Sequence, residues 1–101
     1  MKNILIKQYT KSHIAVSYED GEKCQEDIFN CLDQGEKIAL DFSGIDYVIA
    51  AFLNPVIGDL ILQRGNEVMK YIGIKNANES IIEKIKLVRD GALAKKEGVC
   101  E

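Results

Sequence analysis

Apolar and polar residues alternate over residues 3–9, with Ile4 and Ile6 on one side and Leu5 and Lys7 on the other, which predicts a strand. Thr10, Lys11 and Ser12 fit a turn. Residues 13–18 predict a second strand, with Ile14, Val16 and Tyr18 sharing a side. So short a connection predicts an antiparallel hairpin. Glu19, Asp20 and Gly21 break the alternation. After them Cys24, Ile28, Cys31 and Leu32 recur at helical spacing. Asp20 is the candidate N-cap of that helix, Glu22 lies near its positive end, and Gly35 stands where a left-handed stop belongs.

Residues 37–42 predict a third strand, with Ile38, Leu40 and Phe42 on one face and the small Ala39 and polar Asp41 on the other. The next apolar stretch is helical in pattern but contains Pro55. Proline is tolerated in a first turn, whose N–H groups have no intrahelical partner. The helix is therefore expected to start near Ala51, or at Pro55 with Asn54 as its cap, and to end at Gly65. Residues 68–74 predict a fourth strand. Asn78 opens a last helix, with Ser80 and Glu83 at capping-box spacing. Its buried stripe is Ile81, Ile82, Ile85 and Val88, while Lys84, Lys86 and Arg89 fall mostly outside it. The fold class expected is α/β, in the order ββαβαβα: a small, mostly parallel four-stranded sheet with an N-terminal hairpin and three helices. One sheet face or edge is then left for a partner, so self-association through an edge is one expectation to test.

A chain of 101 residues fits a single domain, here 1–101 with a loose tail over about 92–101. Thirteen basic against sixteen acidic residues, a net charge of -3, speak against nucleic acid and against an anionic membrane surface, both of which favour a basic surplus. No apolar run approaches the ~20 residues of a membrane helix, and the N-terminal apolar core is too short for a signal peptide. Three cysteines, Cys24, Cys31 and Cys100, do not make a disulfide framework and fit a reducing, cytoplasmic setting.

Asp41, Ser43 and Asp46 form the candidate ligand loop, at the carboxyl end of a strand where α/β proteins bind ligands. Two carboxylates there suit a divalent cation. The same residues are also what a turn uses, because Asp and Ser bond nearby backbone, and no third acidic ligand stands at metal spacing. Ser43 lacks the G-x-S-x-G elbow of a hydrolase, and the one histidine, His13, is remote in sequence. Cys24 and Cys31 are seven apart, which is not a zinc spacing and fits core packing. The glycines form no phosphate cradle. No catalytic residue, metal or cofactor is predicted, and the expectation is a protein that is not an enzyme.

The segment DFSGIDYVIAAFLN, residues 41–54, resembles the signature of STAS domains, the anti-sigma-factor-antagonist-like fold. Asp41, Phe42, Ser43, Gly44 and Ile45 match its strand end. Phe52, Leu53 and Asn54, followed by Ile57, Gly58, Asp59 and Leu60, are similar to a family of uncharacterised bacterial STAS-like domains. The resemblance implies a regulatory, protein-binding module whose partner is a histidine-kinase-like ATPase or related regulator. It also implies a contact surface at the loop and helix start, here Tyr47, Ile49, Ala50, Ala51 and Asn54. One departure stands out. The Asp–Ser–Ser/Thr–Gly segment that carries the phosphorylated hydroxyl in regulatory members falls on Ile49, Ala50, Ala51 and Phe52, where no hydroxyl exists.

Overall fold

A computed structural model describes residues 2–96, with backbone alone for Asn66 and Lys96. The chain runs β1 (Lys2–Leu5), α1 (Lys7–Thr10), β2 (Ile14–Ala15), α2 (Tyr18–Asp33), β3 (Ile38–Asp41) and β4 (Tyr47–Val48). It continues with α3 (Ala50–Leu53), a π-helical turn (Asn54–Gly58), α4 (Asp59–Arg64), a 3-10 segment (Asn66–Tyr71), β5 (Ile72–Lys75) and α5 (Glu79–Lys96). The class is α/β with parallel pairing throughout, but the strands are divided. β1, β3 and β5 form a three-stranded sheet with β3 central, and β2 and β4 form a separate pair.

The expected single four-stranded sheet and its N-terminal hairpin are therefore corrected. Residues 7–10 coil into one helical turn, closed by Lys11 N–H on Lys7 O at 2.9 Å with Lys11 left-handed at φ 56. That turn turns the chain away from β1, and β2 registers with β4 instead, Ile14 opposite Tyr47 and Ala15 opposite Val48. β1 places Ile4 opposite Leu40, a pairing that buries both. Along β2 the alternation is present but its sense is inverted. Small Ala15 is buried, while Ile14, Val16 and Tyr18 face outward.

Registered residues of a parallel sheet share a face. Ile4, Ile38, Leu40 and Ile72 face one hydrophobic cluster with Ile28, Phe52, Leu60 and Ile81. The other face carries Asn3, Ala39, Asp41, Gly73 and Lys75, with Leu5 its one large apolar side chain, and Lys75 Nζ donates to Asn3 Oδ1 at 3.2 Å.

Helix ends follow local chemistry with one shift. Ser17, not Asp20, caps α2: its Oγ accepts from Asp20 N–H at 3.3 Å. Gly21, which reads as a breaker, lies inside α2, and it is glycine because a side chain there has no room; a Cβ would stand 2.5 Å from Phe52 O and 2.7 Å from Pro55 Cγ. At the other end Gly35, at φ 79, donates to Leu32 O and Glu36 N–H reaches Cys31 O, the paired bonds of a Schellman stop.

Pro55 neither starts nor ends its helix. Residues 50–64 form one helical run that begins at Ala50 and widens at the proline, where Asp59 N–H bonds Asn54 O, five residues back. The Pro55 carbonyl also has a partner from another element: Gln25 Nε2 of α2 donates to it at 2.7 Å.

Of the strand expected over residues 68–74, only Ile72 onward is extended, and Asn66–Tyr71 is 3-10 helical. Asn78 caps α5, its Oδ1 accepting from Ile81 N–H at 2.9 Å. Ile81 and Ile85 are buried, Val88 is half-buried, and Ile82 lies outside the buried stripe. The expected tail is helical as far as Lys96, with Ala92 buried. Residues 97–101, Cys100 among them, lie outside the described residues.

Candidate functional site

The corner after β3 is closed by its own polar groups. Asp41, 9% exposed, ends the central strand. Its Oδ1 accepts from Asn76 Nδ2 at 2.9 Å, from Ser43 Oγ at 2.8 Å and from Ser43 N–H at 2.9 Å. Its Oδ2 accepts from Asn3 Nδ2 at 3.3 Å. These donors, Asn76 foremost and Ser43 next, stabilise the ionised form and hold the carboxyl well below the usual carboxylate range. Ile45 N–H returns to Phe42 O at 2.9 Å around Gly44, whose φ of 79 suits glycine.

Asp46 is tied elsewhere. Its N–H donates to His13 O at 2.7 Å and its carbonyl accepts from Asn78 Nδ2 at 3.2 Å, so its backbone leads into β4 while its side chain is exposed. Among the described residues, no group of three or more His, Cys, Asp or Glu side chains is placed to hold a metal ion. Cys24 is buried, and that burial pushes its thiol up to about 12.

A few residues later the surface opens. Tyr47 is 46% exposed beside Ile14, its partner in register, and Lys84 Nζ lies 4.6 Å from its ring centre while donating to Val48 O at 3.2 Å. Ile49 is half-buried, and its N–H bonds Ala15 O at 3.1 Å. No side chain caps α3. In the helical run that follows, Phe52 and Leu53 are fully buried, Ala50 and Asn54 are exposed, and Ala51 is half-buried.

Ala50 and Asn54 lie in a groove of about 530 Å³ between this helical run and α5. Gly58, Gly91 and Ala92 leave it open, because side chains that are absent or small fill none of its space. Its walls include Tyr18, 48% exposed, and Leu87, 72% exposed. Asp59 and Lys95 supply one charge of each sign.

Two of the five predicted contact residues, Ala50 and Asn54, thus share the groove, and Tyr47 is exposed on the neighbouring strand pair. Ile49 and Ala51 are only half available. Sequence reading passed over Tyr18 and Leu87. The signal for Leu87 was present: it is apolar yet off the helical stripe set by Ile81, Ile85 and Val88. Tyr18 carried no such signal, since it read as the end of a strand.

Residues 20–81, more than half of the chain, match the family described as a STAS-like domain of unknown function. The chain belongs to that family. No curated protein and no solved structure matches it. The family segment runs from the first turn of α2 to Ile81 in α5, and so contains both the Asp41 corner and the exposed helix start.

Proposed function

We propose that this domain is a non-enzymatic protein-interaction module of STAS type, whose contact face is the groove beside Ala50 and Asn54 together with Tyr47. The observation that carries this reading is the open groove itself. Small residues form its base, and two large apolar side chains, Tyr18 and Leu87, stand exposed at its walls. Aromatic and aliphatic groups around a concave floor are what a desolvated contact uses as anchors. The partner chemistry follows from the family resemblance: a histidine-kinase-like ATPase or a regulator of that type. Because residues 49–52 offer no hydroxyl, binding here is not gated by phosphorylation at the family's usual position.

Ala50 is the residue to test, since Ala51 is half-buried and a charge there also strains the fold. Wild type and Ala50→Glu serve as paired baits in extracts of the native cell, with captured proteins read by mass spectrometry. An ATPase or regulator held by wild type and lost with Ala50→Glu supports the face. Identical captures from two equally folded baits overturn it.

A further inference from the structure

The sheet has two free edges, and they differ in chemistry. The cleft along β1 is bordered mainly by polar groups, Gln8, Tyr9, Asp27, Asn30, Gln34 and Glu36. The cleft along β5 is apolar. It holds about 420 Å³ between β5 and α5, with Met69, Ile72 and Ile74 on one side and Ile82 and Ile85 on the other. Lys86 and Arg89 of α5 also line it; Arg89 contacts its neighbour Asp90 at 3.1 Å, and Lys86 is exposed.

Backbone direction completes the cleft. Phe42 N–H bonds Lys75 O at 2.9 Å, so Lys75 directs its carbonyl toward β3. Peptide groups alternate along a strand, so the N–H and C=O of Ile74 and the C=O of Ile72 point to the open edge. Ile72 N–H is already taken by Met69 O. An unpaired row of backbone groups beside an apolar trough with cations on the far wall matches an extended chain of opposite charge.

We propose that the β5–α5 cleft receives an extended segment of a partner protein, added as a strand on β5, with alternate apolar side chains in the trough and acidic residues against Lys86 and Arg89. This surface is separate from the groove at Ala50. A fully helical partner finds no use for the Ile74 amide, and a second copy of the chain brings its own Lys86 and Arg89 to the same edge, where like charges repel.

The test is selection from displayed random peptides on the intact domain, beside a Lys86→Glu, Arg89→Glu double variant whose melting is checked first. Enriched sequences are expected to alternate apolar with Asp or Glu and to weaken about tenfold or more on the double variant. Hydrogen exchange then reads the geometry: the best enriched peptide is expected to slow exchange at the Ile74 amide, and its N-methylated analogue is expected to fail. The same peptide binds Ala50→Glu unchanged. No enrichment, or enrichment without acidic bias, overturns the proposal. So does binding that leaves the Ile74 amide unprotected, the sign of a helical ligand. Protection at Ile74 that rises with protein concentration alone also overturns it, in favour of self-pairing.

Discussion

Residues 41–46 and residues 47–54 are adjacent in sequence and opposite in behaviour. The first stretch is rich in groups that look reactive, yet the donors around Asp41 are its own neighbours: Asn76, Ser43 and Asn3. The second stretch has no obvious chemistry, yet it leaves Tyr47 at the surface and sets Ala50 and Asn54 along an open groove. Polar residues at a strand end first satisfy the backbone and each other, because an unpaired buried polar group costs about 1–3 kcal/mol. Exposed apolar surface has no such internal remedy. It is covered by a partner or left wet.

The largest effect expected comes from beneath the open stretch. Phe52 is fully buried, so Phe52→Ala is expected to remove about 3–5 kcal/mol, a large share of a small domain's stability, as read by urea denaturation. A loss near zero breaks the claim that the exposed helix start rests on core.

Asp41→Ala is expected to lower the melting temperature well beyond Ala50→Glu at the exposed edge of the groove, because Asn76, Ser43 and Asn3 lose a shared acceptor. Acid sharpens the point. The folded carboxyl lies below its ordinary value near about 3.9, so the unfolded chain takes up a proton first as pH falls. The stabilisation is complete above that ordinary value and is lost on the way down through the folded one. Thermal melts from about pH 6 to about pH 3 therefore show the gap between wild type and Asp41→Asn shrinking in acid. A constant gap counts against an ionised Asp41 as the keystone of the corner.

Ala50→Glu is expected to change stability by no more than about 0.5 kcal/mol, since its site is exposed, while abolishing partner capture. The smallest effect concerns the corner as a ligand loop. Magnesium or ATP at millimolar concentration is expected to leave the melting temperature unchanged, because anything that binds only the native state must raise it. A clear rise reverses the comparison and makes Asp41, Ser43 and Asp46 the site.

Much of the helical pattern was legible from spacing alone. Cys24, Ile28 and Cys31 are buried on α2, Gly35 stops that helix, and Asn78 opens α5. The central strand also read correctly, since Ile38, Leu40 and Phe42 are all fully buried. The errors cluster where a local pattern admits two outcomes. Alternation over residues 13–18 fixes which side chains share a side but not which side is inward, and Ala15 took the inward place once Val48 lay opposite. Gly21 reads as a breaker in any local scheme, and only the approach of Phe52 and Pro55 shows why a helix has glycine there. Pro55 likewise sits inside a helical run that widens around it, and the bond from Gln25 to its carbonyl comes from a distant element.

By itself, then, the sequence determined the α/β class, the central strand, the helix stripes and the signature segment that marks the family, because each is written in short-range periodicity or in contiguous residues. The tertiary structure decided which strands pair, whether Asp41 is open or satisfied, and that Tyr18 and Leu87, nearly seventy residues apart in the chain, face one groove. Those outcomes depend on which distant surfaces meet, and a side chain's partner across the fold leaves no trace in the spacing of its neighbours along the chain.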